Sequence, residues 1–306
     1  MIPFSMQRNL QFITMPPTAD VTRAFPQLKT MRKTTVRLHP VPCNDIPLHA
    51  SKIGGEFLWP ENDPWPTSDD PQAPYCEVEH IADKIIFHER KLHNKSFAGV
   101  LQLRRDDVPE LGFPPGKDLF QLLWNPRDHL KPHYGPLTKV FWRKAADICS
   151  SPIQNPKPEY PGEGYVPKPC AVHPERVDEF PAPHELPDDL RQELHEWEKL
   201  IGGDTDYQFL LSNAPGIKIG GYPGWLQEAV ELSCDHCAQK MEFIVDIEGC
   251  EFDGGSGPRW RPEVSGIDYD PLPNPTELNI VRDGALHLFI CRRCPGWPCK
   301  YVVEMQ

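Results

Sequence analysis

Alternating hydrophobic and polar residues predict β-strands along most of the chain. Val36 and Leu38 alternate with polar neighbours in 35–40, and strand-like runs at 97–104 and 119–124 flank a Pro-Pro-Gly turn. Such alternation around such a turn is typical of an antiparallel hairpin. Three further runs indicate the same kind of strand: 137–144, 242–247 and 286–291. We therefore expect an α+β protein that is mainly antiparallel β.

Helical periodicity is clear in one segment, which follows Pro187. Four apolar residues share one face there: Leu190, Leu194, Trp197 and Ile201. Acidic residues occupy the first turn and Gly202 follows the last, so a helix should start and stop there. We expect it to pack on a sheet. A shorter helix is predicted in 16–30, and the 37 prolines predict long loops elsewhere.

One eight-residue phrase occurs twice. KIGGEFLW begins at Lys52 and KIGGYPGW begins at Lys218, and the strand–turn–strand order that follows is similar in both halves. We interpret this as an internal duplication. Adjacent glycines allow a positive φ or a close backbone approach, and the Trp four residues later can bury beside the turn. The phrase carries no obvious acid, base or nucleophile, so shaping a turn is favoured over binding a ligand.

The duplication divides the chain into four parts that are expected to form one pseudo-symmetric unit. Residues 1–32 are an N-terminal segment with a short helix, and 33–149 are the first repeat unit. Residues 150–186 are a Pro-rich connector, and 187–306 combine the long helix with the second repeat unit.

The strongest chemical signal is a pair of CxxC motifs in the second half, Cys234–Cys237 and Cys291–Cys294. Two such pairs can direct four thiolates at one tetrahedral zinc ion, and a site with four protein ligands is structural. Cys299 is an alternative fourth ligand, and unliganded thiols remain the other interpretation. The other cysteines have no metal-ligand spacing: Cys43, Cys76, Cys149, Cys170 and Cys250.

The acidic net charge indicates which classes of macromolecule this protein is expected to bind. A formal net charge of −12 makes a nucleic-acid partner improbable on electrostatic grounds and fits a basic protein partner or simple solubility. No apolar run is long enough to span a membrane, and the N-terminus lacks the features of a signal peptide. We expect a cytoplasmic protein with no membrane partner.

Several segments resemble a known family. RLHPVP (37–42), SKIGGEFLWPENDPWP (51–66), LQLRRDDVPELGFPPGKDLFQLLW (101–124), APGIKIGGYPGW (214–225) and EFDGGSG (251–257) are similar to the uncharacterised bacterial YwqG-like family. The resemblance extends from about residue 33 to 306. The second half also resembles the programmed cell death protein two family, in its Gly-Gly-x-Pro-x-Trp phrase and paired cysteines. That family acts as a dedicated chaperone of a small-subunit ribosomal protein, although its zinc-finger insertion is not evident here.

These observations favour a non-catalytic, chaperone-like binding module braced by zinc, with a basic polypeptide such as a ribosomal protein as partner. We expect an acidic, aromatic-lined cleft between the repeats and assign no catalytic residue. The predicted cleft residues are Gly54, Gly55, Trp59, Trp65, Gly220, Gly221, Tyr222, Trp225 and Asp253. Asp253 lies in a Gly-rich loop, for which a simple tight turn is the other interpretation. The alternatives are a hydrolase or other small-molecule enzyme with its site in this cleft, and an immunity or anti-toxin protein.

Overall fold

The computed structural model describes residues 2–69, 76–81, 84–89, 95–130, 134–148, 154–159, 164–202 and 205–305; of the side chains in 76–89, nothing is described. Cys149 and Gly203 lie outside the described residues. Sixteen strands occur within them: β1 (Gln11–Ile13), β2 (Lys33–Arg37), β3 (Val41–Pro42), β4 (Lys52–Ile53), β5 (Cys76–Ile81), β6 (Lys84–Glu89), β7 (Ala98–Arg104), β8 (Leu119–His129), β9 (Gly135–Arg143), β10 (Cys170–Ala171), β11 (Glu175–Glu179), β12 (Lys218–Gly220), β13 (Glu242–Glu248), β14 (Glu263–Ser265), β15 (Ala285–Ile290) and β16 (Cys299–Glu304).

The helices are few and mostly short. The α-helices are α1 (Phe4–Gln7), α2 (Val21–Ala24), α3 (Asp188–Ile201) and α4 (Gly257–Trp260). Single 3₁₀ turns span Pro26–Thr30, Pro109–Leu111, Ala145–Asp147 and Pro183–Glu185, and a π-helical turn spans Tyr207–Leu211. The predicted helix in 16–30 is therefore only one turn of α-helix, which Asp20 caps through the amides of Thr22 and Arg23.

Two six-stranded sheets dominate the fold, in the orders β3-β10-β4-β7-β8-β9 and β11-β2-β12-β13-β15-β16. Two-stranded sheets pair β1 with β14 and β5 with β6. Each of these described pairs is antiparallel, which confirms the predicted fold class.

The two large sheets contain the same order of strands in one part of each, as the predicted internal duplication implies. The ladder β4-β7-β8-β9 in the first sheet corresponds to β12-β13-β15-β16 in the second. Lys52 pairs with Gln102 across the first ladder, and Lys218 pairs with Asp246 across the second. Both ladders also contain a register shift in their second strand, at Gly99/Leu101 and Phe243/Val245.

The segment predicted as a Pro-rich connector contributes strands to both sheets. Its β10 pairs with β4 in the first sheet, and its β11 pairs with β2 in the second. Conversely, β2 comes from the first half and pairs with β12 of the second half. Each crossing segment bends at a His-Pro dipeptide, His39–Pro40 or His173–Pro174, and the two run antiparallel to one another. The halves are therefore interlocked, and 150–186 is not a spacer.

The hydrophobic core lies between the two large sheets. Buried residues from both of them, such as Leu101 and Leu122 of the first and Val245 and Leu288 of the second, belong to one cluster. Since each sheet buries one apolar face, this packing leaves the strand ends and the Gly-Gly turns at the periphery.

The long helix α3 packs differently from the prediction. Leu190 and Leu194 are buried in a cluster with Phe25, Tyr207 and Leu210, which come from helical turns rather than from a sheet. Ile201, predicted on the same buried face, is 45% exposed. The helix therefore lies on the N-terminal segment and on the π-helical turn.

Candidate metal centre and two Gly-Gly cavities

The two CxxC motifs converge on one point. The ligand atoms of Cys234, Cys237, Cys291 and Cys294 all lie within 4.8 Å of one another. The sulfur atoms of Cys234 and Cys294 are 3.9 Å apart, and those of Cys237 and Cys291 are 3.6 Å apart. A tetrahedral ion with metal–sulfur bonds of about 2.3 Å requires sulfur–sulfur distances of about 3.8 Å. The cluster can therefore hold a metal ion.

Tight turns present these thiols. The Cys234 carbonyl accepts the amide of Ala238, and the Cys291 amide donates to Pro298 at the base of the second turn. Burial opposes ionisation of Cys291, but the amides of Cys294 and Arg293 and the neighbouring thiols outweigh it and lower its pKa to about 7. Amides directed at sulfur favour the thiolate, which is the form that ligates metals.

The remaining cysteines lie elsewhere. Cys299 donates to the carbonyl of Trp297 and is not in the cluster, so Cys294 is the fourth candidate ligand. Cys43, Cys170 and Cys250 are free thiols.

Both Gly-Gly turns need glycine. Gly54 and Gly55 have φ of 62° and 71°, and Gly220 and Gly221 have φ of 70° and 74°. A Cβ at Gly54 would lie 2.5 Å from the Pro167 carbonyl oxygen. The phrase therefore shapes a turn, as the sequence predicts.

Each Gly-Gly turn lines a cavity of its own. Gly54, Gly55 and Trp65 line a cavity of about 620 Å³, the first-turn cavity. Gly220, Gly221, Tyr222 and Trp225 line another of about 630 Å³, the second-turn cavity. The two turns lie in different sheets, and each lines its own cavity.

Three of the four predicted aromatic cleft residues belong to the core. Trp59, Trp65 and Trp225 are 0%, 8% and 9% exposed, whereas Tyr222 is half-buried. Asp253 lines neither Gly-Gly cavity and is exposed; its carboxylate accepts the amides of Gly255 and Ser256, which closes the Gly-rich turn.

The second-turn cavity is aromatic and mixed in charge. Its apolar walls include Tyr222, Trp225, Phe243 and Phe289. Its charged residues are Lys33, Lys240, Glu185, Glu231 and Glu242. Burial lowers the pKa of Lys33 and raises that of Glu185.

Five carboxylates hold the second turn, and the sequence analysis missed them. Glu179 accepts hydrogen bonds from the amides of Ala214 and Tyr222. Glu248 accepts one from Gly216, and Glu251 accepts one from Ile217. Asp246 accepts one from Gly224, and Glu304 accepts one from Leu226. Arg37, Lys218 and His287 supply positive charge within this network. Burial raises the pKa of both Glu248 and Glu251 to about 7. The acids come from four separate strands and loops, so their sequence spacing gave no signal.

The sequence analysis also assigned no chemical role to the repeated lysine. Lys218 forms a fully buried ion pair with Glu179 at 3.0 Å. Lys52 is 1% exposed and donates to the carbonyls of Pro47 and Glu56, at 2.7 and 2.9 Å. Burial lowers the pKa of Lys52 to about 8, although Glu56 opposes the shift. Its recurrence in both phrases was the available signal.

Comparison with known proteins gave no assignment: neither a family model nor a curated protein matches the chain. In the described part of the chain, none of the helices combines the length and hydropathy needed to cross a bilayer.

Proposed function

We propose that the protein is a non-catalytic, chaperone-like module that binds a basic polypeptide at the second-turn cavity. The supporting observation is the cavity itself: about 630 Å³, walled by Tyr222, Trp225, Phe243 and Phe289. Aromatic walls bury large apolar area and suit a side-chain anchor of a protein partner.

The surface next to this cavity supports a polypeptide rather than a small metabolite. Leu226 and Val230 are 37% and 42% exposed, and Val230 lines the cavity. Glu228 and Glu231 lie on the same exposed segment. Exposed apolar residues among acids suit a basic segment with apolar anchors, and the net charge of −12 favours its approach.

The proposed metal is a structural Zn²⁺ held by Cys234, Cys237, Cys291 and Cys294. Four thiolates favour zinc and leave no open position for chemistry. The thiols and the cavity walls Trp225, Met241 and Phe289 belong to one apolar cluster. The ion would therefore fix the walls of the proposed binding site.

We further propose membership of the YwqG-like family, with a cytoplasmic location and a ribosomal protein as one candidate client. The family proposal rests on the similar segments 37–42, 51–66, 101–124, 214–225 and 251–257, and the client proposal rests on the Gly-Gly-x-Pro-x-Trp phrase and the paired cysteines.

Affinity capture tests this proposal. Zinc-loaded protein is exposed to cell lysate at low and at high salt, and co-eluting proteins are identified by mass spectrometry. We expect one basic protein, retained at low salt and released at high salt. The variant Leu226→Ser/Val230→Ser should lose it. Leu200→Ser/Ile201→Ser is the matched control, since those residues are exposed on α3 and line neither Gly-Gly cavity. Equal recovery with both variants would place binding elsewhere.

A small-molecule enzyme is the alternative that one observation favours. Lys33 and Glu185 line the same cavity. Burial lowers the pKa of Lys33 and raises that of Glu185, so it favours the neutral form of each side chain. Such a pair can exchange protons. An empty capture at both salts, with turnover that Glu185→Gln abolishes, would favour the enzyme.

A further inference from the structure

The first-turn cavity differs from its counterpart in what accompanies the repeated lysine. Lys218 has Glu179 as its counter-ion at 3.0 Å. Lys52 has two carbonyl partners, and within the described residues no carboxylate forms a contact ion pair with it; the Glu56 carboxylate acts on it only through a longer-range charge interaction. A buried ammonium without a counter-ion is costly, so this position favours either the neutral amine or an added anion.

The missing counter-ion follows from one substitution between the repeats. His39 and His173 are equivalent by strand register, and Glu179 lies six residues after His173. The residue six positions after His39 is Asp45. Its carboxylate is shorter and exposed, and it accepts from the Phe4 amide and the Cys43 thiol instead of from a lysine. The first unit therefore lacks the built-in anion of the second.

The amine retains one unused hydrogen. A lysine ammonium has three donors, and the described residues provide two acceptors, the carbonyls of Pro47 and Glu56. Lys52 lines the cavity, so an acceptor inside it can take the third. A single available hydrogen suits a monoanion such as a carboxylate better than a doubly charged phosphate.

The cavity walls define the rest of the ligand. Its volume of about 620 Å³ lies within the ordinary range for small-molecule sites. The apolar wall residues are Ile46, Leu48, Trp65, Pro156, Pro167 and Pro169. The charged wall residues are two lysines, Lys52 and Lys157, and one glutamate, Glu56. The second-turn cavity has two lysines and three glutamates instead.

We infer that the first-turn cavity binds a small carboxylate-bearing molecule, whose anionic group pairs with Lys52 and whose apolar body lies against Trp65 and the proline walls. The site is separate from the proposed polypeptide site and does not depend on it.

Benzoate is the probe, titrated into the full chain and followed by saturation-transfer NMR, with benzyl alcohol as its uncharged analogue. We expect saturable benzoate binding and affinity for benzyl alcohol lower by about tenfold or more, the value of one charge-assisted hydrogen bond. Lys52→Met should weaken benzoate by a similar factor, whereas Lys199→Met, a change on exposed α3, should not.

A second variant covers the case in which Lys52→Met fails to fold. Val166 is 41% exposed and lines the cavity, so Val166→Trp fills the space without touching Lys52. It should abolish benzoate binding. Binding that survives Val166→Trp, equal affinity for benzyl alcohol, or no saturable benzoate binding would each overturn the inference. Leu226→Ser/Val230→Ser should leave benzoate binding unchanged, which separates this site from the polypeptide site.

Discussion

The two repeat units share a backbone and differ in the charge that they bury. Three equivalent positions form a chain of side-chain contacts beside each repeated Trp. They are Gln102, Gln121 and Arg143 in the first unit, and Asp246, His287 and Glu304 in the second. Gln102 accepts the amide of the residue before Trp59, and Asp246 accepts the amide of the residue before Trp225. One geometric role is thus performed by two neutral amides and an arginine in one copy, and by two carboxylates and a histidine in the other.

This comparison shows that the Gly-Gly phrase specifies a turn and not its chemistry. The φ angles of the glycines agree between copies, because the backbone path requires them. The surroundings diverge: the second unit has five carboxylates and the cysteine cluster, whereas the first unit has Lys52 with carbonyl partners. The stability of the second unit should therefore depend on the metal, on ion pairs and on pH more strongly than that of the first unit.

Removing the metal should produce the largest difference in stability between the two units. Replacing Cys291 with Ser, or chelating the ion, should destabilise the second unit by several kcal/mol, since structural zinc contributes folding free energy directly. Hydrogen exchange should then show lost protection in β13 and β15 and retained protection in β7 and β8.

Cys299→Ser is the control for this experiment, because Cys299 lies outside the cluster. Equal loss of protection in both sheets would show instead that the interlocked halves unfold as one cooperative unit.

Replacing the repeated lysine should produce the next largest difference between the two units. Lys218→Met leaves Glu179 buried without its cation and should reduce the free energy of unfolding by about 3 to 5 kcal/mol. Lys52→Met leaves only two carbonyls without a donor and should reduce it by about 1 to 2 kcal/mol. Urea unfolding of the two variants measures the difference, and equal losses would show that the Glu179 ion pair contributes nothing specific.

Some features were predictable because they depend on local rules. The strand-like runs predicted five of the eight ladder strands, β7, β8, β9, β13 and β15, but not β4, β12 or β16. The CxxC spacing predicted four ligands that do converge. The acidic first turn and Gly202 predicted the limits of α3. These signals require only neighbours along the chain.

Other features depend on contacts between distant segments. The exchange of β2 and β10 between sheets places strands inside a segment that was predicted to be a connector. Ten of the residues in 150–187 are proline, and a two-residue strand has no measurable period. The repeated His-Pro dipeptide was the available signal. The apolar faces of the two sheets bury each other, and the two turns line separate cavities, which no local pattern reveals.

The smallest predicted effect concerns pH and tests the chain of side-chain contacts in the second unit. His287 is buried, and both ring nitrogens contact carboxylates: Nδ1 contacts Asp246, and Nε2 lies 2.9 Å from Glu304. Burial lowers the pKa of His287, but the two carboxylates outweigh it and raise the value to about 9. At neutral pH the imidazolium therefore donates to both.

A histidine whose pKa is raised in the folded state stabilises the fold fully below its unfolded pKa of about 6.5 and loses this contribution as pH rises through about 9. We expect His287→Gln, which copies the residue at position 121, to be less stable than the wild type by roughly 1 to 3 kcal/mol at pH 6. The gap should narrow steadily toward pH 9 in urea unfolding. His195→Gln, at an exposed site on α3, should show no such gap. A gap that stays constant from pH 6 to 9 would mean that His287 is held by packing against Trp225 rather than by its charge.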